Sequence, residues 1–346
     1  MDAMFFIVLG ATLVSFLLTL AFGRFVIPML RALHAGQSIR EVGPQWHNSK
    51  SGTPTMGGIM FIAAILLCTV GFGWKSMVEN ADYTHLYVLG LALCYGLVGF
   101  ADDFVKVKLK RNLGLTASQK FLLQLVVAVI FLFVLKKSGD LSCDLYIPFW
   151  NLDLEIPTAV YMIFAAFVIV GCVNAVNLTD GLDGLAILPS VMVGGALGIF
   201  AYVVGRPDYA GYLIFPYIPG AGELVVIAGG LLGAGLAFLW YNAHPAQVFM
   251  GDVGALALGG CLGTMAVITR QELVLAVMGG IFVVETLSVM IQTVYFRLSH
   301  GKRIFLMAPV HHHFELKGWK ETQVVTRFWI ITMILVLIGL STLKIR

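Results

Sequence analysis

Ten long apolar runs decide what this chain can fold into. A helix needs about 20 apolar residues to cross a bilayer core. The runs lie at residues 3–30, 56–74, 84–101, 118–136, 157–176, 184–204, 221–241, 251–269, 273–296 and 324–343, the ninth being the least regular. The fold class they predict is an all-α integral membrane protein of about ten transmembrane helices, with residues 1–346 as one polytopic domain. Composition agrees, since 59% of the 346 residues are hydrophobic and only 12% are charged, against about 25% charged in soluble domains. The first run lacks a basic leading region and a small-residue cleavage site, so it reads as a retained anchor.

Ten crossings put both termini on one side, and the positive-inside rule selects which. The loops after the first, third and ninth spans carry Arg31, Arg40, Lys50, Lys106, Lys108, Lys110, Arg111, Lys120, Arg297, Lys302, Arg303, Lys317 and Lys320. The even-numbered loops carry Lys75, Lys136, Lys137, Arg206 and Arg270. Odd-numbered loops are therefore expected in the cytoplasm and both termini outside, although Lys344 and Arg346 weigh against this. Alternating apolar and acidic residues predict a short external β-hairpin near 140–156. The five cysteines form no C-x-x-C pair and read as reduced, inert core residues. A net charge of +3 without a concentrated basic face argues against a nucleic-acid partner.

The unusual polar residues collect on the odd-numbered loops, where they can converge on one face. In LVGFADDFVK two adjacent carboxylates, Asp102 and Asp103, stand at the mouth of an apolar span and are followed by Lys106. In NAVNLTDGLDG, Asn174, Asn177, Asp180 and Asp183 recur every three residues and would share a broad face if the helix persists. The plainer reading is a capped helix junction. Asp252 in FMGDVG reads as a metal ligand or as an N-cap, and Phe249 as a stacking platform or an interfacial anchor. KSGTPTMGG joins glycines, hydroxyls and Lys50 at a helix start, which suits phosphate; an ordinary turn and cap is the alternative. His311, His312 and His313 are consecutive and so poorly spaced for zinc; contact with phosphate or ribose, or a solvated loop, fits better. Glu285, Ser288 and Gln292 make one polar stripe in the ninth span, which should face inward because charge at mid-bilayer is costly.

Carboxylates, lysines and hydroxyls without a thiol nucleophile or a Ser-His-Asp order describe phosphoryl-transfer machinery. Carboxylate oxygens suit Mg2+, lysines suit phosphate, and positioning with charge neutralisation supplies most of the catalysis. At a membrane surface this implies one water-soluble and one lipid substrate. A secondary transporter would instead place its site at the midplane between paired halves, and no such halves stand out.

GTPTMGG, DDFVK, NAVNLTDGLDGLA, FMGDVG and PVHHHFELKGW, in this order and through nearly the whole chain, resemble the phospho-MurNAc-pentapeptide translocase (MraY) family. That family belongs to the polyprenyl-phosphate N-acetylhexosamine-1-phosphate transferases, whose GlcNAc-1-phosphate branch shares the aspartate motifs. The resemblance implies an Mg2+-dependent enzyme of the bacterial plasma membrane, usually a homodimer, with its site on the cytoplasmic face. Its substrates would be UDP-MurNAc-pentapeptide and undecaprenyl phosphate, and its products lipid I and UMP, in the first membrane step of peptidoglycan synthesis. It further implies Asp102 as the base, Asp103 as a support of the site and of the charge of the Mg2+ region, and Asp252 as the Mg2+ ligand, with Asp102 and Asp103 as further ligand candidates. Gly181, Leu182, Asp183 and Phe249 would form the uridine pocket, flanked by Asn177 and Asp180. Lys50, Thr55, Lys106 and Lys120 would meet diphosphate or other polar substrate groups, and His311, His312, His313 and Gln292 the nucleotide side. One departure is Ala255, where the family often has Ser; its absence would remove one hydroxyl contact at the nucleotide pocket.

Overall fold

The computed structural model describes residues 3–33, 52–109, 114–139, 141–150 and 152–344. Lys50, Arg40, Lys110 and Arg111 lie outside them. Among the described residues ten helices are long and apolar enough to cross a membrane, as expected. In chain order the helices and strands are α1 (Ala3–Ala32), α2 (Gly58–Glu79), α3 (Thr84–Lys108), α4 (Ala117–Ser138), β1 (Asp144–Ile147), β2 (Leu152–Glu155), α5 (Thr158–Thr179), α6 (Ile187–Val204), α7 (Pro207–Tyr212), α8 (Leu224–Asn242), α9 (Gly251–Ile268), α10 (Glu272–Met278), α11 (Gly280–Leu298), α12 (Val310–Leu316) and α13 (Glu321–Ser341).

The ends of these helices follow local chemistry. Thr116 and Gln119 form a reciprocal capping box that starts α4, and Gly139 ends it in the left-handed region at φ 89. The irregular ninth run divides at Gly279 into the short α10 and the spanning helix α11, which begins at Gly280. The hairpin is present: β1 and β2 pair antiparallel, Asp144 opposite Glu155 and Ile147 opposite Leu152.

α9 is the hub of the bundle, packing against α3, α5, α2 and α6. Every residue from Val253 to Ile268 is buried, which is the behaviour of a helix apolar on all sides. Outward-facing Leu17, Phe25, Ile163, Phe167 and Leu337 are exposed, as a lipid-facing surface requires. A second, smaller core joins Leu182, Leu185, Ile281, Val310, Val324, Val325 and Phe328. It fastens the segment after α5 to α11, α12 and α13.

Two expectations need correction. The five cysteines are free, but Cys94 is exposed, because it falls on the outer face of α3. The histidine segment is a helix, α12, and not a loop; Val310 anchors its apolar side in the second core.

Candidate active site

α3 continues beyond its apolar stretch, so Asp102, Asp103 and Lys106 occupy its final turns. Asp252 is the second residue of α9. The close packing of these helices brings the three aspartates together, each offering one oxygen within 4.8 Å of the others. Gly99 makes this approach possible, since a β-carbon there would lie 2.2 Å from the Asp252 carbonyl oxygen. Gly251 has φ +73, and a β-carbon there would lie 2.6 Å from Asp103 Oδ2. Both conformation and space demand glycine at that turn.

The repulsion anticipated between adjacent carboxylates is answered by two lysines. Lys106 Nζ is 2.6 Å from Asp102 Oδ2, 3.3 Å from Asp103 Oδ1 and 2.7 Å from Asp252 Oδ2. Lys120 Nζ is 2.7 Å from Asp252 Oδ2 and 3.9 Å from Asp102 Oδ2. Backbone donors fix the remaining oxygens: Leu115 N–H donates to Asp102 Oδ1 at 2.7 Å and Val253 N–H to Asp103 Oδ2 at 3.1 Å. Asn177 Nδ2 donates to Asp252 Oδ1 at 3.2 Å. Asp102 and Asp103 are 3% and 2% exposed. Carboxylates this buried persist as ions only when paired and hydrogen-bonded. Three hard carboxylate oxygens so close together fit a divalent cation such as Mg2+.

The four polar residues expected to share a helix face do not do so. α5 ends at Thr179, so Asp180 and Asp183 lie beyond it. Asn174 turns toward α4 and donates to Gln124 Oε1 at 2.6 Å. Asn177 alone of the four bonds Asp252. Burial and the carboxylates of Asp252, Asp103 and Asp183 push the Asp180 carboxyl up to about 8.

The segment 181–185 is held from behind. The Leu182 side chain is buried in the second core, so it can offer a ligand only its backbone. Asp183 is 4% exposed; its N–H donates to Glu321 Oε1 at 2.9 Å and its Oδ2 accepts from Ala246 N–H at 3.1 Å. His244 Nδ1 lies 3.1 Å from the same oxygen and 3.7 Å from Glu321 Oε2. Asn242 Oδ1 accepts from Gly184 N–H at 3.1 Å. Sequence reading passed over His244, Glu321 and Asn242. The polar NAH preceding Pro245 was the available signal for two of them.

The TPTMGG segment is pinned to the segment before α9. Phe249 N–H donates to the Pro54 carbonyl at 2.8 Å, and Gly57 and Gly58 donate to Phe249 and Met250 at 2.9 Å each. Thr55 is thereby buried beside the turn at Gly251, and Phe249 is left half-buried.

The histidines serve three different partners. His311 Nδ1 is 3.0 Å from Glu285 Oε2, and His312 Nδ1 is 2.8 Å from Glu315 Oε2. His313 Nδ1 accepts from Leu306 N–H at 3.1 Å, and burial together with Lys317 lowers its pKa. Gln292 spends its amide on the loop after α11, accepting from Ile304 and Phe305 N–H and donating to the Phe305 carbonyl. Glu285 and Ser288 of the polar stripe are buried, as expected of an inward face. Ala255 is 1% exposed within the main core.

Two comparisons with known proteins bear on this arrangement. Residues 85–270 match the family model for glycosyl transferase family 4. Residues 50–62 match signature 1 of the phospho-N-acetylmuramoyl-pentapeptide-transferases. The first match spans every member of the acid–lysine cluster, and the second takes in Lys50 and Thr55.

Proposed function

The chain belongs to glycosyl transferase family 4 and transfers phospho-MurNAc-pentapeptide from its UDP form to undecaprenyl phosphate, giving lipid I and UMP; on that premise we propose that the Asp102–Asp103–Asp252 cluster is its Mg2+-dependent reaction centre. The observation that carries this is the close convergence of three carboxylates and two lysines at one end of the bundle. Asp252 would hold the metal, with Asp102 and Asp103 completing the oxygen set. When bound, the ion neutralises diphosphate charge.

The side chains divide the remaining work. Asp102, at the mouth of a membrane-embedded helix, takes a proton from the lipid phosphate, whose tail stays in the bilayer. The freed phosphate oxygen attacks the sugar-linked phosphorus. A new P–O bond forms there, the bond to the bridging oxygen breaks, and UMP departs with that oxygen. Lys106 and Lys120 are already aimed at the cluster and stabilise charge on the diphosphate. The segment 181–183 and Phe249 take the uridine, with Asn177 and Asp180 beside them; Thr55 and Lys50 meet polar substrate groups, and the His311–His313 helix borders the nucleotide side. The Lys- and Arg-rich loops support a cytoplasmic site in a bacterial plasma membrane, and the resemblance supports a homodimer.

The test is UMP release by purified protein in detergent with UDP-MurNAc-pentapeptide, undecaprenyl phosphate and Mg2+. Turnover of UDP-GlcNAc alone would move the chain to the GlcNAc-1-phosphate branch. Unimpaired turnover by Asp252→Asn would remove its metal role. A phosphorylated Asp102 or Asp103, trapped with the nucleotide sugar alone, would replace direct attack by a two-step route.

A further inference from the structure

Glu285 and His311 make a buried pair that the reaction as proposed does not use. They come from different helices, α11 and α12, and are 0% and 1% exposed. His311 Nδ1 meets Glu285 Oε2 at 3.0 Å. The other ring nitrogen, Nε2, has no hydrogen-bond partner among the described residues, and neither has Glu285 Oε1. Nε2 faces the backbone of Gly181: a β-carbon there would lie 2.4 Å from it. The next residue, Leu182, is buried in the second core together with Ile281 from α11 and Val310 from α12. The segment 181–183 is thus seated on two elements at once, and the ring of His311 is the polar part of its seat.

An imidazole buried this way must be held at one nitrogen if its orientation is to be fixed, and a carboxylate at Nδ1 does that. Among the described residues no other side chain hydrogen-bonds the His311 ring. Titratable groups on the segments that meet here include Glu285 on α11, His312 and Glu315 on the same helix, Asp180 and Asp183 in the segment that holds Gly181, and Glu321 at the start of α13. Of these Glu315 is taken by His312, and Asp183 and Glu321 are engaged with each other's chain segments and with His244.

We infer that Glu285 is a positioning residue for the transfer reaction: it holds the His311 ring against Gly181 and so sets the segment that receives the uridine. The inference rests on the nucleotide reading of residues 181–183. In this arrangement His311 acts through the loop backbone and does not itself touch the nucleotide. Gly181 is required because any side chain would meet the ring.

The readout is the separate KM for each substrate in the detergent assay. Glu285→Leu is expected to raise the KM for UDP-MurNAc-pentapeptide about tenfold or more, the usual scale for loss of an orienting partner. The KM for undecaprenyl phosphate should stay within about twofold. Glu285→Gln, whose amide oxygen still accepts from Nδ1–H, should recover most of the nucleotide KM. His311→Ala should reproduce the Glu285→Leu pattern, and the double variant should be no worse than either single one. Equal effects on both KM values, additive losses, or Gln no better than Leu would overturn the inference. If Glu285→Leu does not fold, Glu285→Gln combined with His311→Asn carries the same cycle. Phe249→Ala separates the two levels. If it too leaves the nucleotide KM unchanged, the nucleotide reading falls; if it raises that KM while Glu285→Leu does not, only the positioning role falls.

Discussion

At the hairpin end of the bundle Glu272 is 2% exposed, hydrogen-bonded to the hydroxyl of Tyr161, with its second oxygen unpartnered among the described residues. Burial pushes its carboxyl up to about 7. Two residues earlier, Arg270 donates to the Asp144 carbonyl at 3.0 Å and to Asp153 Oδ1 at 2.7 Å, and so fastens the hairpin to the bundle. At the opposite end Asp102 and Asp103 are equally withdrawn from water and Asp252 partly so, yet two lysines stand among them. The difference lies in what replaces the lost solvent. Glu272 is given a neutral hydroxyl, and its ionisation is suppressed. The aspartates are given movable ammonium groups on long stems, 31% and 18% exposed, which phosphate oxygens can reach. One end covers its buried carboxyl with a neutral partner; the other holds charge in readiness.

Breaking the charged end should have the largest effect. Asp252→Asn is expected to lower UMP release by about a hundredfold or more, because it weakens a preorganised charge site and removes the carboxylate that pairs most closely with both Lys106 and Lys120. Lys120→Met should cost a similar order in turnover, with kcat falling more than KM rises. Thermal unfolding of both variants separates lost chemistry from lost fold.

Glu272→Gln sharpens the contrast from the other end. A carboxyl whose folded value lies near 7, above its ordinary 4.5, favours the protonated state in the folded protein. Its contribution to stability is present below about 4.5 and is lost as pH rises through about 7. The window corresponds to roughly 3 kcal/mol by the usual conversion. Melting temperature in detergent should therefore fall between pH 5 and pH 8 in the parent and change less in Glu272→Gln. Turnover at neutral pH should move little, since Glu272 is far from the aspartates. An unchanged pH slope in the variant would assign the loss to other groups.

The same contrast explains how far the sequence could be read. Spans, the hairpin and the acidic pair were legible because each is local: apolar length, alternation and adjacency are visible along the chain. Asp102 and Lys106 sit one helical turn apart, so their pairing was visible too. The partners that come from across the fold were not. His244 lies 61 residues from Asp183, and Arg270 is 117 from Asp153; such pairs follow from how helices pack. The expected register through Asn174, Asn177, Asp180 and Asp183 failed for the same reason. Helix α5 stops at Thr179, and the tertiary contacts of Leu182 and Asp183 decide where the chain goes next. The histidine run read as a loop because polar residues dominate it; Val310 and Phe314 anchor it in a core that the local pattern does not announce.

The smallest effect is expected where a charge pair is open to water. Asp153 is 54% exposed while its partner Arg270 is 7% exposed. Asp153→Asn removes the exposed half and leaves Arg270 bonded to the Asp144 carbonyl, so the loss should stay within about 1 kcal/mol. Arg270→Met removes the buried half and strips both hairpin contacts at once, which should cost about 1–3 kcal/mol. Neither should alter turnover beyond about twofold at a temperature where both are folded. The ratio of the two melting shifts is the informative quantity. If Asp153→Asn costs as much as Arg270→Met, the hairpin is held by the ion pair itself, and the hairpin end resembles the aspartate end in depending on opposite charge. If it costs far less, the backbone carbonyl carries the attachment, and charge at this end serves only to complete the surface.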